Sequence, residues 1–325
     1  MNILLVTPAP PRSRKGNRIT ALRWARLLRQ LGHRVVIREE YQGEPCDILI
    51  AMHARRSFAA VDAFHREHPG RPVVLALTGT DLYGDIHTHA MARRALEIAS
   101  RLVLLQPLGI EELPAHLRSR ARVIYQSSEA TTARRDGRPR RPIFEVCVLG
   151  HLRQVKDPFR TALAARQLPG SSRLGILHVG GALTPEMARR ARAEALRNPR
   201  YRWLGNLPRW KALRVLARSR LLVLTSRLEG GANVISEAIA AGVPVLASHI
   251  PGSVGILGPD YPGYFSVGDT AALAALLHRA ESDARYYQTL RTRCGRLRPL
   301  FTPARERASW RRLLRELDRN HTDGP

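Results

Sequence analysis

The sequence predicts an α/β fold made of two successive parallel-sheet units, and two observations predict it. Short apolar runs of strand length recur with helix-sized segments between them, at residues 3–7, 34–38, 48–52, 73–77, 101–105 and 122–125, and again at 144–149, 174–179, 201–204, 221–224 and 243–247. Strands that alternate with helices place a parallel sheet between two helical layers. A polar, basic, proline-containing stretch at 130–142 breaks the alternation. No core can form from such residues, so the stretch reads as an interdomain linker.

Each element has a local reason. Residues 3–7 are a continuous apolar strand at the start of the chain. Residues 20–31 carry apolar positions at helical spacing and are ended by Gly32. The runs at 48–52 and 73–77 follow polar or proline-containing linkers. Residues 144–149 open the second series, and helices at 270–279 and 284–294 close it. A helix from residue 303 sets Trp310, Leu313, Leu314 and Leu317 on one side. The resulting division is a Rossmann-like domain over 1–143 with its linker at 130–143, a second domain over 144–302, and a helix over 303–325.

The chain has 325 residues, 44% of them hydrophobic, enough for two domains with sizeable cores. Its net charge is +26. Lys15, Lys156 and Lys211 are its lysines, and arginines spread over the whole length supply the other basic residues. Aromatic residues make up 6% and do not interleave with the arginines, which argues against a single-strand nucleic-acid surface. The charge fits attraction of small anionic substrates better. No apolar run approaches the roughly 18 residues of a membrane span. The start reads as a strand rather than a signal peptide. Cys46, Cys147 and Cys294 form no paired framework, so a reducing cytoplasm is expected. No Asp-x-Asp occurs and no metal or cofactor is expected.

The most informative segment is Glu229-Gly230-Gly231-Ala232-Asn233-Val234-Ile235-Ser236-Glu237, followed by Gly242, Pro244 and an apolar strand. It sits after the strand at 221–224. A glycine-rich loop lets backbone N–H groups approach a phosphate, and the helix start adds partial positive charge. Glu229 falls in the loop and Glu237 in the helix, one acid on each side of a bound phosphate. Carboxylates accept from hydroxyls, so a sugar on one side and a ribose on the other is the matching ligand. The plain alternative is a strand–helix–strand unit with two solvated glutamates.

This segment resembles the Glu-x7-Glu signature of the retaining GT-B glycosyltransferases of family 4. The resemblance implies the GT-B fold, two Rossmann-like α/β domains facing across a cleft, with the C-terminal helix crossing back to the first. The 148–158 segment, with His151, Arg153 and Lys156, is similar to the family's Gly-Arg-Leu-x-x-x-Lys stretch. There an Arg and a Lys neutralise the donor diphosphate. Lys156 falls on the family Lys, while His151 stands at the Arg position, so Arg153 or His151 takes over that role. Negative charge grows on the departing UDP, and fixed cations stabilise it more than they stabilise the ground state. Arg153, Lys156 and Glu229 are thus the implied catalytic residues. Gly230, Gly231, Ala232, Asn233, Glu237, His151 and Gly205 are the implied nucleotide-sugar ligands.

The acceptor is expected on the first domain. The loop 8–18 carries Arg12, Lys15, Gly16, Asn17 and Arg18 at the carboxyl end of the first strand, where open α/β sheets bind ligands. Its cation density favours an acceptor with several negative charges. Thr78-Gly79-Thr80-Asp81 resembles a His-Gly-Thr/Ser-Asp segment of the family, which offers Thr80 and Asp81. Asp81 as a turn residue is an equal reading. His53, His87 and His89 are scattered candidates that read as structural or exposed.

The blocks 7–18, 77–83, 150–158 and 229–237 are very similar to the selenosugar synthases of selenoneine biosynthesis. That likeness implies transfer of N-acetylglucosamine from its UDP-sugar to selenophosphate, with a functional link to other enzymes of that pathway. Two other readings stand beside it: a family 4 enzyme acting on a lipid or a small thiol or hydroxyl compound, and a non-enzymatic nucleic-acid binder.

Overall fold

The computed structural model describes residues 1–13, 15–129 and 143–322. Arg14 and the linker expected at 130–142 lie outside the described residues. Contacts divide the chain into two units. The first is Met1–Ser127 with Glu229–Gly231 and Thr302–Pro325; the second is Ser128–Leu228 with Ala232–Phe301.

The first unit is a six-stranded parallel sheet in the order β2-β1-β3-β4-β5-β6. Its strands are β1 (Asn2–Val6), β2 (Arg34–Arg38), β3 (Ile48–Met52), β4 (Val73–Ala76), β5 (Arg101–Leu104) and β6 (Ala121–Val123). Helices α1 (Gly16–Gln30), α2 (Phe58–Glu67), α3 (Ile86–Thr88) and α4 (Ala90–Ile98) run between them. Both faces are covered. Leu4 and Val6 enter one core with Val61 and Phe64 of α2, while Ile3 and Leu5 enter another with Trp24 of α1. The strands therefore read as continuous apolar runs rather than alternating ones.

That second core is completed by a helix distant in sequence. In it Trp310, Leu313, Leu314 and Leu317 pack with Trp24 and Leu28. The Trp24 and Trp310 rings meet edge to face at 4.8 Å. Glu306 is buried beside them. It accepts from the Trp24 indole at 2.8 Å, from Arg23 and from the Ser127 backbone at 2.8 Å, and from the Ser127 hydroxyl. Donors of this kind offset the cost of burying a carboxyl group.

The second unit repeats the plan with a sheet in the order β12-β11-β10-β7-β8-β9, also parallel. Its strands are β7 (Phe144–Leu149), β8 (Leu174–Val179), β9 (Tyr201–Trp203), β10 (Leu221–Leu224), β11 (Val245–Ser248) and β12 (Tyr264–Phe265). Its helices are α5 (Arg160–Arg166), α6 (Pro185–Arg197), α7 (Arg209–Arg218), α8 (Asn233–Ala241), α9 (Pro251–Leu257), α10 (Thr270–Ser282) and α11 (Ala284–Leu297); the helix returning to the first unit is α12 (Pro303–Thr322). Strand order reverses at β1/β3 in one unit and at β7/β10 in the other. Such switch points open a crevice at the carboxyl ends of the strands. The loops after β1, β7 and β10 carry most of the candidate residues; Thr80 and Asp81 follow β4, and Gly205 follows β9.

Candidate active site

In the second unit the turns after β7 and β8 touch backbone to backbone. A Cβ on Gly180 would overlap the Gly150 carbonyl, so only glycine fits there. His178 fastens the same turn. Its Nε2 donates to the Gly150 carbonyl at 3.1 Å, and its Nδ1 accepts from the Tyr201 hydroxyl at 2.9 Å. A carbonyl can only accept, so the proton sits on Nε2. Burial lowers the His178 pKa to about 4, which keeps the ring neutral. The next residue along, His151, is also oriented: the Gly181 N–H donates to its Nδ1 at 3.1 Å. With Nδ1 accepting, the ring presents Nε2 as its donor. Gly205, at φ +69°, turns beside this group, and its carbonyl accepts from the Gly180 N–H at 2.9 Å.

Arg153 is extended and exposed and leads into a 3-10 turn over Gln154–Lys156. Asp157 closes that turn at φ +41° and pairs with Arg160 at 2.9 Å. The loop is tied to the one after β10. The Thr225 hydroxyl reaches the Lys156 and Asp157 carbonyls, each at 2.9 Å, and the Arg227 N–H donates to the Val155 carbonyl at 2.8 Å. The sequence separation of 69 between Thr225 and Lys156 is bridged by the β7–β10 pairing. Lys156 thus stands on a braced loop although its own side chain is half-exposed.

After β10 the chain runs through Glu229, Gly230, Gly231 and Ala232 into α8, which ends at Gly242 with φ +72°. Glu237 lies within this helix. Glu237 is buried, and its Oε1 lies 2.7 Å from Arg209 at the start of α7. Glu229–Gly231, assigned from sequence to the nucleotide-sugar domain, pack with the first unit. A Cβ on Gly230 would come within 2.5 Å of the Thr78 carbonyl carbon, and one on Gly79 within 2.8 Å of the Gly230 nitrogen. Gly231 lies against Leu105 just as tightly.

In the first unit the structure corrects the loop expected through Arg18. Helix α1 already starts at Gly16, so Gly16, Asn17 and Arg18 form its first turn. The apolar periodicity visible in the sequence begins later, and the start is made by backbone alone. The Lys15 carbonyl accepts from the Arg18 and Ile19 N–H groups at 3.0 and 3.2 Å. Lys15 is the N-cap residue, without a side-chain cap, and no acidic residue lies in the first turn. Arg12 precedes it, exposed and at φ +65°.

Asp81 takes the turn role, one of its two sequence readings. It is fully buried, and both carboxylate oxygens are engaged. Oδ1 accepts from the Thr78 N–H at 2.8 Å and the Gly79 N–H at 2.9 Å, and Oδ2 from the Ala54 N–H at 3.0 Å. Asp81 holds the ends of β3 and β4 together. Thr80 is exposed, and its hydroxyl meets buried His53 Nε2 at 3.1 Å. His87 pairs with Glu112 and His89 with Arg55, both on the surface. Among the described residues, the non-glycine positions with positive φ are Arg12, His53 and Asp157. Each follows a switch-point strand. Strain of this kind collects at functional sites.

His53 was read from sequence as structural or exposed, and Arg209 was not singled out. A positive φ at histidine and an ion pair 28 positions long leave no periodic trace. Among the described residues no group of three His, Cys, Asp or Glu is arranged to hold a metal ion. No helix among them is long and apolar enough to cross a membrane.

Two doubly wound parallel units, with a glycine-rich acid loop entering a helix at a switch point, define a GT-B transferase. Residues 131–296 match the family model for glycosyl transferases group 1, and the chain belongs to that family. Solved structures share the fold along nearly the whole chain. HepE of Anabaena in complex with UDP matches with TM-score 0.75 at 16% identity, covering 97% of this chain and 99% of its own. Sucrose-phosphate synthase of Thermosynechococcus elongatus matches with TM-score 0.76 at 18% identity, covering 98% and 100%. A glycosyltransferase of Rickettsia africae matches with TM-score 0.71 at 14% identity, covering 98% and 99%. No curated protein matches the chain.

Proposed function

We propose that this enzyme transfers N-acetylglucosamine from its UDP-sugar to the selenium of selenophosphate. Selenium attacks the anomeric carbon as the carbon–oxygen bond to UDP breaks, and the electron pair passes to the β-phosphate oxygen. Water then takes the phosphoryl group from selenium, leaving a selenosugar and inorganic phosphate. We assign no side chain to that second step.

On the donor side, Arg153 and Lys156 oppose the charge that grows on UDP, and Glu229 meets the sugar. Backbone N–H groups of Gly230, Gly231, Ala232 and Asn233 receive the diphosphate. Glu237 takes the ribose, and Gly205 lines the base. His151 offers its Nε2 proton where related enzymes have an arginine. A UDP leaving group so neutralised requires no general acid. The UDP assignment draws support from HepE, solved with UDP, with UDP and glucose, and with UDP-glucose.

The observation that carries the acceptor class is the start of α1. A helix N-terminus without an acidic first-turn residue, capped by Lys15 and flanked by Arg12 and Arg18, favours a small multiply charged anion. Selenophosphate is already ionised and its selenium is a soft nucleophile, so no general base is needed. Selenium itself rests on the likeness of four sequence blocks to selenosugar synthases. The reading carries with it a cytoplasmic location, no metal requirement and no nucleic-acid partner.

Mass spectrometry of products from UDP-N-acetylglucosamine and selenophosphate tests it. The expected product contains a selenium–carbon bond. Glycosylation of a lipid or an uncharged compound with no such product would leave the family and remove the acceptor.

A further inference from the structure

We infer that Arg209 is a donor-binding residue that sets Glu237 for the ribose and adds a cation to the nucleotide site; the inference rests on the UDP reading above. Glu237 is 4% exposed. A buried carboxylate beside a diphosphate is a conflict of like charges, and in a partly dry site such charges interact by far more than in water. Arg209 resolves the conflict. Its terminal nitrogen lies 2.7 Å from Glu237 Oε1, while its own side chain remains 40% exposed. One guanidinium holds five donors in a rigid fork, so a single arginine can hold a carboxylate and face an anion together.

The position of Arg209 in the chain explains its placement. The turn through Gly205 and Asn206 packs on Gly180 and Gly181, next to the His151 ring. Pro208 follows and Arg209 opens α7. The guanidinium is thus delivered from the rim that carries His151, the residue standing where related enzymes have a cation. The ion pair fixes the rotamer of Glu237, and hydroxyl donors then meet an oriented acceptor. Lys cannot replace it fully, because an ammonium lacks the fork.

Titration calorimetry with UDP and 2′-deoxy-UDP, on wild type, Arg209→Ala, Arg209→Lys and Glu237→Gln, decides the matter, with thermal unfolding run beside it. In Arg209→Ala, UDP affinity should fall by about tenfold to a hundredfold, the worth of a charge-assisted hydrogen bond. The preference for UDP over 2′-deoxy-UDP should shrink with it, and Arg209→Lys should recover part of the affinity but little of the preference. Unchanged UDP affinity in Arg209→Ala overturns the inference. So does an equal loss for both nucleotides with the preference intact, since that marks a merely structural pair. If the wild-type enzyme binds no UDP, the donor reading itself fails, and the calorimetry shows that before any variant is compared.

Discussion

The two switch points are held in different ways. In the second unit, bonds between separate loops and elements fix the candidate groups. His178 and Tyr201 fix the turn at Gly150, the Gly181 N–H orients His151, Thr225 braces the Lys156 turn, and Arg209 pairs with Glu237. In the first unit, the loop after β1 carries exposed Arg12 and Lys15 and is shaped by bonds within itself. The Ser13 N–H donates to the Pro10 carbonyl, and the Lys15 N–H to the Ser13 hydroxyl, both at 3.1 Å. Under the proposed function, a nucleotide of fixed shape would meet groups oriented in advance, and a small anion would meet charge, which needs less geometry.

The comparison breaks most sharply at Gly180. Gly180→Ala should destabilise the second unit by upward of about 3 kcal/mol in denaturant unfolding, because the Gly150 carbonyl has nowhere to go. UDP binding should vanish with it. Unchanged stability would show that the two turns can part. Next in size, Lys156→Ala should lower kcat by about 10²–10³, the worth of a lost transition-state donor, and leave the fold intact. Retained turnover would remove Lys156 from the chemistry.

Acid sharpens the contrast. His178 has a pKa of about 4 in the fold against 6.5 unperturbed. Between those values the unfolded chain binds the extra proton, so stability is full above pH 6.5 and drains as pH falls toward 4. The loss amounts to roughly 3 kcal/mol, the shift converted at 1.36 kcal/mol for each pH step. His178→Gln keeps a donor and an acceptor but cannot be protonated, and should flatten that limb of the stability profile. The smallest effect is expected on the acceptor side. Lys15→Ala or Arg18→Ala should raise the KM for selenophosphate several-fold and leave the KM for the UDP-sugar alone. Added salt should mimic this weakly, since exposed charges are screened over about 8 Å at physiological ionic strength. Equal changes in both constants would place these cations at the donor instead.

Most of the sheet framework was legible because a doubly covered parallel strand needs an unbroken apolar run, as 48–52 and 221–224 supply. β12 was missed: a two-residue strand has no period to read. The early start of α1 was missed because no capping side chain marks it. The 229–237 segment was legible as a loop leading into a helix, because its glycines precede an apolar stretch closed by Gly242. Arg209 was not, because pairing with Glu237 depends on how α7 and α8 pack together. Asp81 stood in the sequence as either a ligand, by resemblance to a family segment, or a turn residue, and sequence alone did not choose. Its donors come from Ala54 as well as from Thr78 and Gly79, and the contact with Ala54 exists only once β3 and β4 lie side by side.

The docking of α12 on α1 has a consequence for how the chain is made. Trp24 bonds to a carboxylate 282 positions downstream. While the ribosome is still producing the second unit, the apolar face of α1 lacks the partner that finally covers it. The first sheet can form early, but one of its cores closes only after Trp310 and Leu314 have emerged. A nascent chain halted at Phe301 would therefore display Trp24 and Leu28 to solvent, a surface for chaperones or for aggregation. Synthesis from the amino end builds this unit first and finishes it afterwards.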